Sequence, residues 1–133
     1  GRQLLGKRRG LGAALELALK LKETCRIHAE AFSIAEVLHG PVALVEPGFP
    51  IIALGQHDET EAGTREAIVQ LRSLGANVLS STDDSLSTIA GVSPIIAPLC
   101  QLQSFYLALP ALAAARGLDA DTPVNLRKVT ETI

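Results

Sequence analysis

Glu16, Lys20 and Glu23 stand at i, i+4 and i+7 of a segment filled by Ala, Leu, Lys and Glu and free of proline. On a helix at 100° per residue the three fall within about 60° of one another. Leu11, Ala14, Leu15, Leu17, Ala18 and Leu21 cover most of the remaining circumference, and only Lys22 interrupts them. A carboxylate on either side of an ammonium can move a proton, one carboxylate acting as base while Lys20 holds a partner or substrate oxygen. A helix so apolar is expected to be buried, which would put the charged stripe in a cleft. The same spacing also describes an exposed, salt-bridged face, and the residues alone leave both readings open.

A second cluster comprises His28, Glu30, Glu36 and His39, followed by Gly40-Pro41. His39 lies three residues after Glu36 and beside a helix stop, where an imidazole can reach out for acid–base work; a capping or hydrogen-bonded structural histidine is the alternative. Cys25, His28 and Glu36 together offer zinc-ligand types, but their spacing matches no standard site. Two further strings carry little. Gly10-Leu11-Gly12 opens a helix but has Leu15 where a dinucleotide fingerprint needs its third glycine. The hydroxyl-rich stretch Ser80, Ser81, Thr82, Ser85, Ser87, Thr88 encloses Asp83 and Asp84, which would repel a phosphate dianion, so it reads as a solvated turn.

These groups need elements to hold them. The spacing predicts helices over 11–24, 31–38, 59–74 and 100–116, the last interrupted near Pro110, with strands at 3–6, 49–54, 77–80 and 93–97. The run Ile51-Ile52-Ala53-Leu54 reads as a fully buried strand, and Gly75 as a helix stop. Strands alternating with helices imply an α/β fold, a parallel sheet with helices on both faces. At 133 residues there is room for one domain, and 47% hydrophobic content supplies a core. Aromatics at 3% leave no platform for stacking bases, and a net charge of −2 argues against duplex nucleic acid and anionic membranes. No apolar run approaches the roughly 20 residues that span a bilayer. Cys25 and Cys100 are far apart and no secretory signal precedes them, so they read as two buried thiols in a reducing, cytoplasmic compartment. The tail, residues 117–133, is polar and must lie on something else.

The string from Ala14 to Thr24, then His28-Ala29-Glu30-Ala31-Phe32, then Glu36-Val37-Leu38-His39-Gly40-Pro41, and finally Pro123-Val124-Asn125-Leu126-Arg127-Lys128-Val129-Thr130, occur in that order. Together they resemble the second sugar-isomerase (SIS) domain of double-SIS proteins, the isomerase part of glutamine:fructose-6-phosphate aminotransferase and the related glucosamine-6-phosphate deaminases. The wording from Thr24-Cys25 to Ser33-Ile34-Ala35-Glu36 is similar to the deaminase branch. The resemblance implies a three-layer, flavodoxin-like α/β sandwich with five parallel strands, a single domain over 1–133, and a tail over 117–133 that closes on the site. It implies that Glu23 moves a proton between C1 and C2 of an amino-sugar or ketose 6-phosphate, with Lys20 and Glu16 beside it. His39 would assist ring opening, reaching across from a partner subunit, and Lys128 would close over the sugar. No cofactor is implied, because the carbonyl next to the reacting carbon already acidifies the proton being moved.

Two departures qualify this. The loop Gly55-Gln56-His57-Asp58-Glu59-Thr60-Glu61 is acidic where a phosphate grip would be hydroxyl-rich, and Gly6-Lys7-Arg8 replaces the family's Gly-Arg-Gly. The chain therefore reads as the acid–base half of a site, the C-terminal half of a double-SIS protein. Its expected partners are a sugar phosphate and either a second copy or a first SIS domain carrying the phosphate loop. A sugar-phosphate-sensing or dimerisation domain without catalysis is the competing reading; the joint presence of Glu16, Lys20, Glu23, His39 and Lys128 favours the enzyme.

Overall fold

The structure, a computed structural model, describes residues 10–83, 85–87 and 91–127. The strand expected at 3–6 and the side chain of Lys128 lie outside the described residues. The order is α1 (Leu11–Cys25), α2 (Ile34–His39), a 3-10 turn (Pro41–Leu44), β1 (Pro50–Ala53), α3 (Glu61–Ser73), β2 (Asn77–Ser80) and α4 (Ala97–Ala115).

β1 and β2 pair in parallel, with Ile51 opposite Val78, Ile52 opposite Leu79 and Ala53 opposite Ser80. A parallel pair needs a crossover, and α3 supplies it. Ala67, Ile68 and Leu71 are buried on its apolar face, and Ile68 and Leu71 pack with Ala53 and Val78. Ile68 is 2% exposed, and burying it stabilises the fold by roughly 1.5–3 kcal/mol. Gly75 ends α3 as expected. At φ +93° it lets its own N–H reach the Arg72 carbonyl and the Ala76 N–H reach the Leu71 carbonyl, which satisfies two end carbonyls and turns the chain into β2.

The second core joins α1 to α4. Leu17, Leu21 and Cys25 pack against Leu109 and Ala113, and Leu118 and Ala120 of the tail cover them. Tyr106 meets Glu16 near one end of this interface and Arg116 donates to the Cys25 carbonyl at the other, 2.7 Å away, so the two helices run in the same sense. Pro110 sits inside α4 and has no N–H to give the Tyr106 carbonyl.

Several expectations need correction. Only two strands occur among the described residues, because 93–97 is no strand. The Ile96 and Ala97 N–H groups both donate to the Ser93 carbonyl at 2.9 Å, and Pro98 fills a first-turn position of α4, where a missing N–H costs nothing. The apolar run Ile95-Ile96-Ala97 is thus the entry to a helix that begins three residues earlier than the pattern predicted. β1 is not buried on both faces: Ile52 is 40% exposed, and Leu79 opposite it 42%. α1 is not buried all round, since Leu15 and Leu19 lie on a face that no described element covers. Cys100 is half-buried, and only Cys25 is fully enclosed. The second helix starts at Ile34, where Ser33 caps it.

The hydroxyl-rich stretch after β2 is also not solvated throughout. Ser80, Ser81 and Thr82 are buried, with the Ser80 and Thr82 hydroxyls 2.8 Å apart. Asp83 points outward, taking hydrogen bonds from the Ser85 hydroxyl and N–H and from Arg72 at 2.9 Å. The Ser85 bonds foremost, then Arg72, hold its carboxyl down to about 2 from the ordinary 3.8. A carboxyl depressed in the folded state stabilises in full above its unfolded value, and that contribution disappears as pH falls through the folded one. The parent should therefore lose thermal stability faster than Asp83→Asn between about pH 4 and pH 2 in circular-dichroism melts. Parallel losses would show that these bonds carry no folding linkage.

Candidate active site

α1 brings the three residues of the stripe together. The Lys20 ammonium donates to Glu23 Oε2 at 3.0 Å and lies 3.7 Å from Glu16 Oε1. All three side chains are about one-third exposed, between the cleft and the open face that the spacing allowed. The hydrogen bond it donates to Glu23 is the foremost cause that raises the Lys20 pKa above its ordinary 10.5, so the ammonium is charged throughout the neutral range. Glu23 Oε1 carries no hydrogen bond among the described residues. A base therefore sits beside a fixed cation that can hold an oxygen as negative charge develops on it.

Glu23 borders an open groove of about 420 Å³. Lys22, Arg26 and His28 line it from the end of α1, and Val124 and Leu126 of the tail form the opposite side. Arg26 adopts φ 51°, a left-handed conformation uncommon outside glycine, as the helix terminates at this rim. The groove is thus built where the Glu16–Lys20–Glu23 stripe ends and the tail passes.

The second cluster does not converge on the stripe. Ser33 and Glu36 form a reciprocal cap, the Ser33 N–H donating to Glu36 Oε2 at 2.8 Å and the Glu36 N–H to the Ser33 hydroxyl at 3.3 Å. Ser33→Ala should therefore cost about 1 kcal/mol locally and accelerate amide exchange over residues 37–39; unchanged exchange would show that the six-residue helix does not depend on its cap. His39 ends α2, exposed, with no hydrogen bond or ion pair to Glu16, Lys20 or Glu23 among the described residues. His28 is largely exposed and 3.9 Å from Glu30. Cys25 is enclosed under α4, so it does not meet His28 and Glu36, and among the described residues no three His, Cys, Asp or Glu side chains converge as metal ligands.

A separate cavity of about 250 Å³ lies beyond the carboxyl ends of β1 and β2, where open parallel sheets commonly take ligands. Its base is an amide network: Gln56 donates to Gln101 at 3.2 Å, and Gln101 donates to the Gly55 carbonyl at 3.0 Å and to the Ser81 hydroxyl at 3.3 Å. Among the described residues no lysine or arginine lines it, and His57 is the one side chain there that can carry positive charge. The acidic loop after β1 serves the backbone instead, Asp58 Oδ1 accepting from the Thr60 N–H and hydroxyl at 2.8 and 2.6 Å.

Sequence reasoning missed Tyr106, whose hydroxyl donates to Glu16 Oε1 at 2.8 Å. The signal was present: Tyr106 precedes the buried Leu109 and Ala113 by three and seven residues, so it shares their face of α4.

The SIS domain family model matches residues 2–99. The chain belongs to the SIS family. This SIS domain is 36% identical over 138 residues to the glutamine–fructose-6-phosphate aminotransferase (isomerizing) of Leifsonia xyli subsp. xyli, covering 93% of the chain but 22% of that protein. Among solved structures, a proposed phosphosugar isomerase from Silicibacter pomeroyi superposes with a TM-score of 0.76 at 40% identity, over 84% of this SIS domain and 36% of that chain. The glucosamine-6-phosphate deaminase of Thermotoga maritima gives 0.67 at 31% identity, over 89% and 36%. The SIS domain thus spans about a fifth of the curated relative's length and about a third of each solved chain. It is of the phosphosugar-isomerase type, related to the isomerising aminotransferases and the deaminase. Among the described residues no helix is long and apolar enough to cross a membrane.

Proposed function

We propose that this SIS domain supplies the proton-transfer half of a site acting on a ketose or amino-sugar 6-phosphate in the cytoplasm. The carrying observation is the Lys20–Glu23 bond of 3.0 Å, with Glu16 on the same face, beside the groove at the end of α1. With an open-chain ketose, Glu23 takes the C1 proton while the C2 oxygen gains one, giving an enediol. Return of a proton to C2 with loss of the O1 proton leaves the aldose, and the Lys20 ammonium holds the oxygen on which charge gathers. On a deaminase substrate, a 2-amino aldose, the transfer runs the other way: Glu23 takes the C2 proton, C1 gains one, and water hydrolyses the resulting C2 imine to the ketose and ammonia.

His39 acts in ring opening from a partner subunit, and Lys128 closes over the sugar as the tail of residues 117–133 folds across the groove. The phosphate is held by a partner, either a second copy or a first SIS domain, and the complete fold is a five-stranded, three-layer sandwich. What supports these roles is the family membership together with the matching positions in the sequence.

Titration of the isotope-labelled chain with fructose 6-phosphate, followed by nuclear magnetic resonance, tests the placement. The amide signals of Lys20, Glu23, Arg26 and His28 should move, and Lys20→Met should suppress the shifts. Shifts confined to Gly55, Ser81 and Gln101 would move the ligand to the other cavity and overturn the assignment.

A further inference from the structure

Lys20 lies between two carboxylates, Glu16 four residues before it and Glu23 three residues after it, yet it bonds only one of them. The Glu23 contact is 3.0 Å and the Glu16 contact 3.7 Å. Helix spacing does not explain this preference, because a glutamate four residues N-terminal to a lysine is the more favourable arrangement. The difference lies on another helix. The Glu16 oxygen nearest Lys20, Oε1, is the oxygen that accepts the Tyr106 hydroxyl at 2.8 Å. Tyr106 is fixed at this point by the packing of Leu109 and Ala113 against Leu17, Leu21 and Cys25.

We propose that Tyr106 is a positioning residue, holding Glu16 off Lys20 so that the ammonium stays on Glu23 at the groove. The proposal rests on the proton-transfer reading of the stripe. Without the phenol hydroxyl, Glu16 is free to swing onto Lys20 and draw the ammonium toward itself. The base then keeps its chemistry but loses the cation that stabilises the developing oxyanion. Geometric errors of this kind reduce turnover more than binding.

Tyr106 is the chain's single tyrosine and there is no tryptophan, so ultraviolet absorbance in alkali reports this phenol alone. Its hydrogen bond to Glu16, ahead of burial and of the Glu16 charge, raises its pKa above the ordinary 10.0. In spectrophotometric titration the parent phenol should ionise later than free tyrosine, and Glu16→Ala, which removes the acceptor, should shift it back. Ionisation at the ordinary value in the parent, or no shift in Glu16→Ala, overturns the contact and the proposal with it.

The functional arm compares Tyr106→Phe with Glu23→Gln on fructose 6-phosphate. The phenylalanine variant should lose about tenfold in kcat or more, with KM and the unfolding midpoint unchanged. A hydroxyl with only a structural role would lower the midpoint and leave kcat alone. Unchanged kcat in Tyr106→Phe while Glu23→Gln abolishes turnover overturns this proposal and leaves the site reading intact. Unchanged turnover in both variants overturns the site reading, and the positioning role fails with it.

Discussion

Replacing Glu23 by glutamine is expected, on the proposed function, to lower turnover of a ketose 6-phosphate by about 10²–10⁴-fold, the range for removal of a general base. The change is nearly isosteric, and the glutamine carbonyl can still accept the Lys20 hydrogen bond that Glu23 Oε2 accepts now at 3.0 Å. What it cannot do is take a proton from carbon. The loss therefore falls on kcat, with KM within a few-fold of the parent, and amounts to roughly 3–5 kcal/mol of transition-state stabilisation. Steady-state kinetics of the two proteins side by side provide the check. A rise in KM with kcat preserved would make Glu23 a binding group and assign the base elsewhere.

The largest effect on stability is expected at Gly55, just beyond β1. A Cβ built there would lie 2.2 Å from Thr82 Cγ2 and 3.1 Å from Thr64 Cγ2. Neither side can give way easily. Thr82 is 4% exposed, and its hydroxyl lies 2.8 Å from that of Ser80. The Gly55 backbone is tied by its N–H to Ser81 at 2.8 Å and by its carbonyl to Ser81 and Gln101, each at 3.0 Å. Gly55→Ala should thus cost about 3 kcal/mol, the upper end of ordinary overpacking, and lower the unfolding midpoint by roughly 10 °C. Thr82→Ser removes the offending methyl while keeping the hydroxyl, so the double variant should recover most of the loss. A midpoint for Gly55→Ala within a degree or two of the parent would contradict the packing at the end of β1.

The sequence made some of this visible and hid the rest for physical reasons. α1 was legible because twelve of its fifteen residues are strong helix formers that carry their own period, and β2 because Val78 and Ser80 alternate with outward neighbours between a glycine turn and a polar loop. The glutamates and lysine of the stripe followed from the same period, since i, i+4 and i+7 positions share a face whatever the tertiary fold. Extent of burial was not legible. Leu15 and Leu19 on α1, like Ile52 on β1, have the composition of core residues, and only tertiary packing decides whether anything covers them. Ile95-Ile96-Ala97 misled because a short apolar run has no period of its own; the Ser93-Pro94 start and Pro98 were the better guide. Tyr106 and Glu16 are ninety residues apart, and their contact follows from the pairing of α1 with α4, which no local pattern reports.

Proton magnetic resonance of fructose 6-phosphate and glucosamine 6-phosphate in D2O with this chain tests the central claim most directly, that Glu23 moves a proton between C1 and C2. The account predicts that solvent deuterium enters at these carbons with the parent and that the incorporation disappears with Glu23→Gln. Exchange that persists undiminished in Glu23→Gln would contradict it.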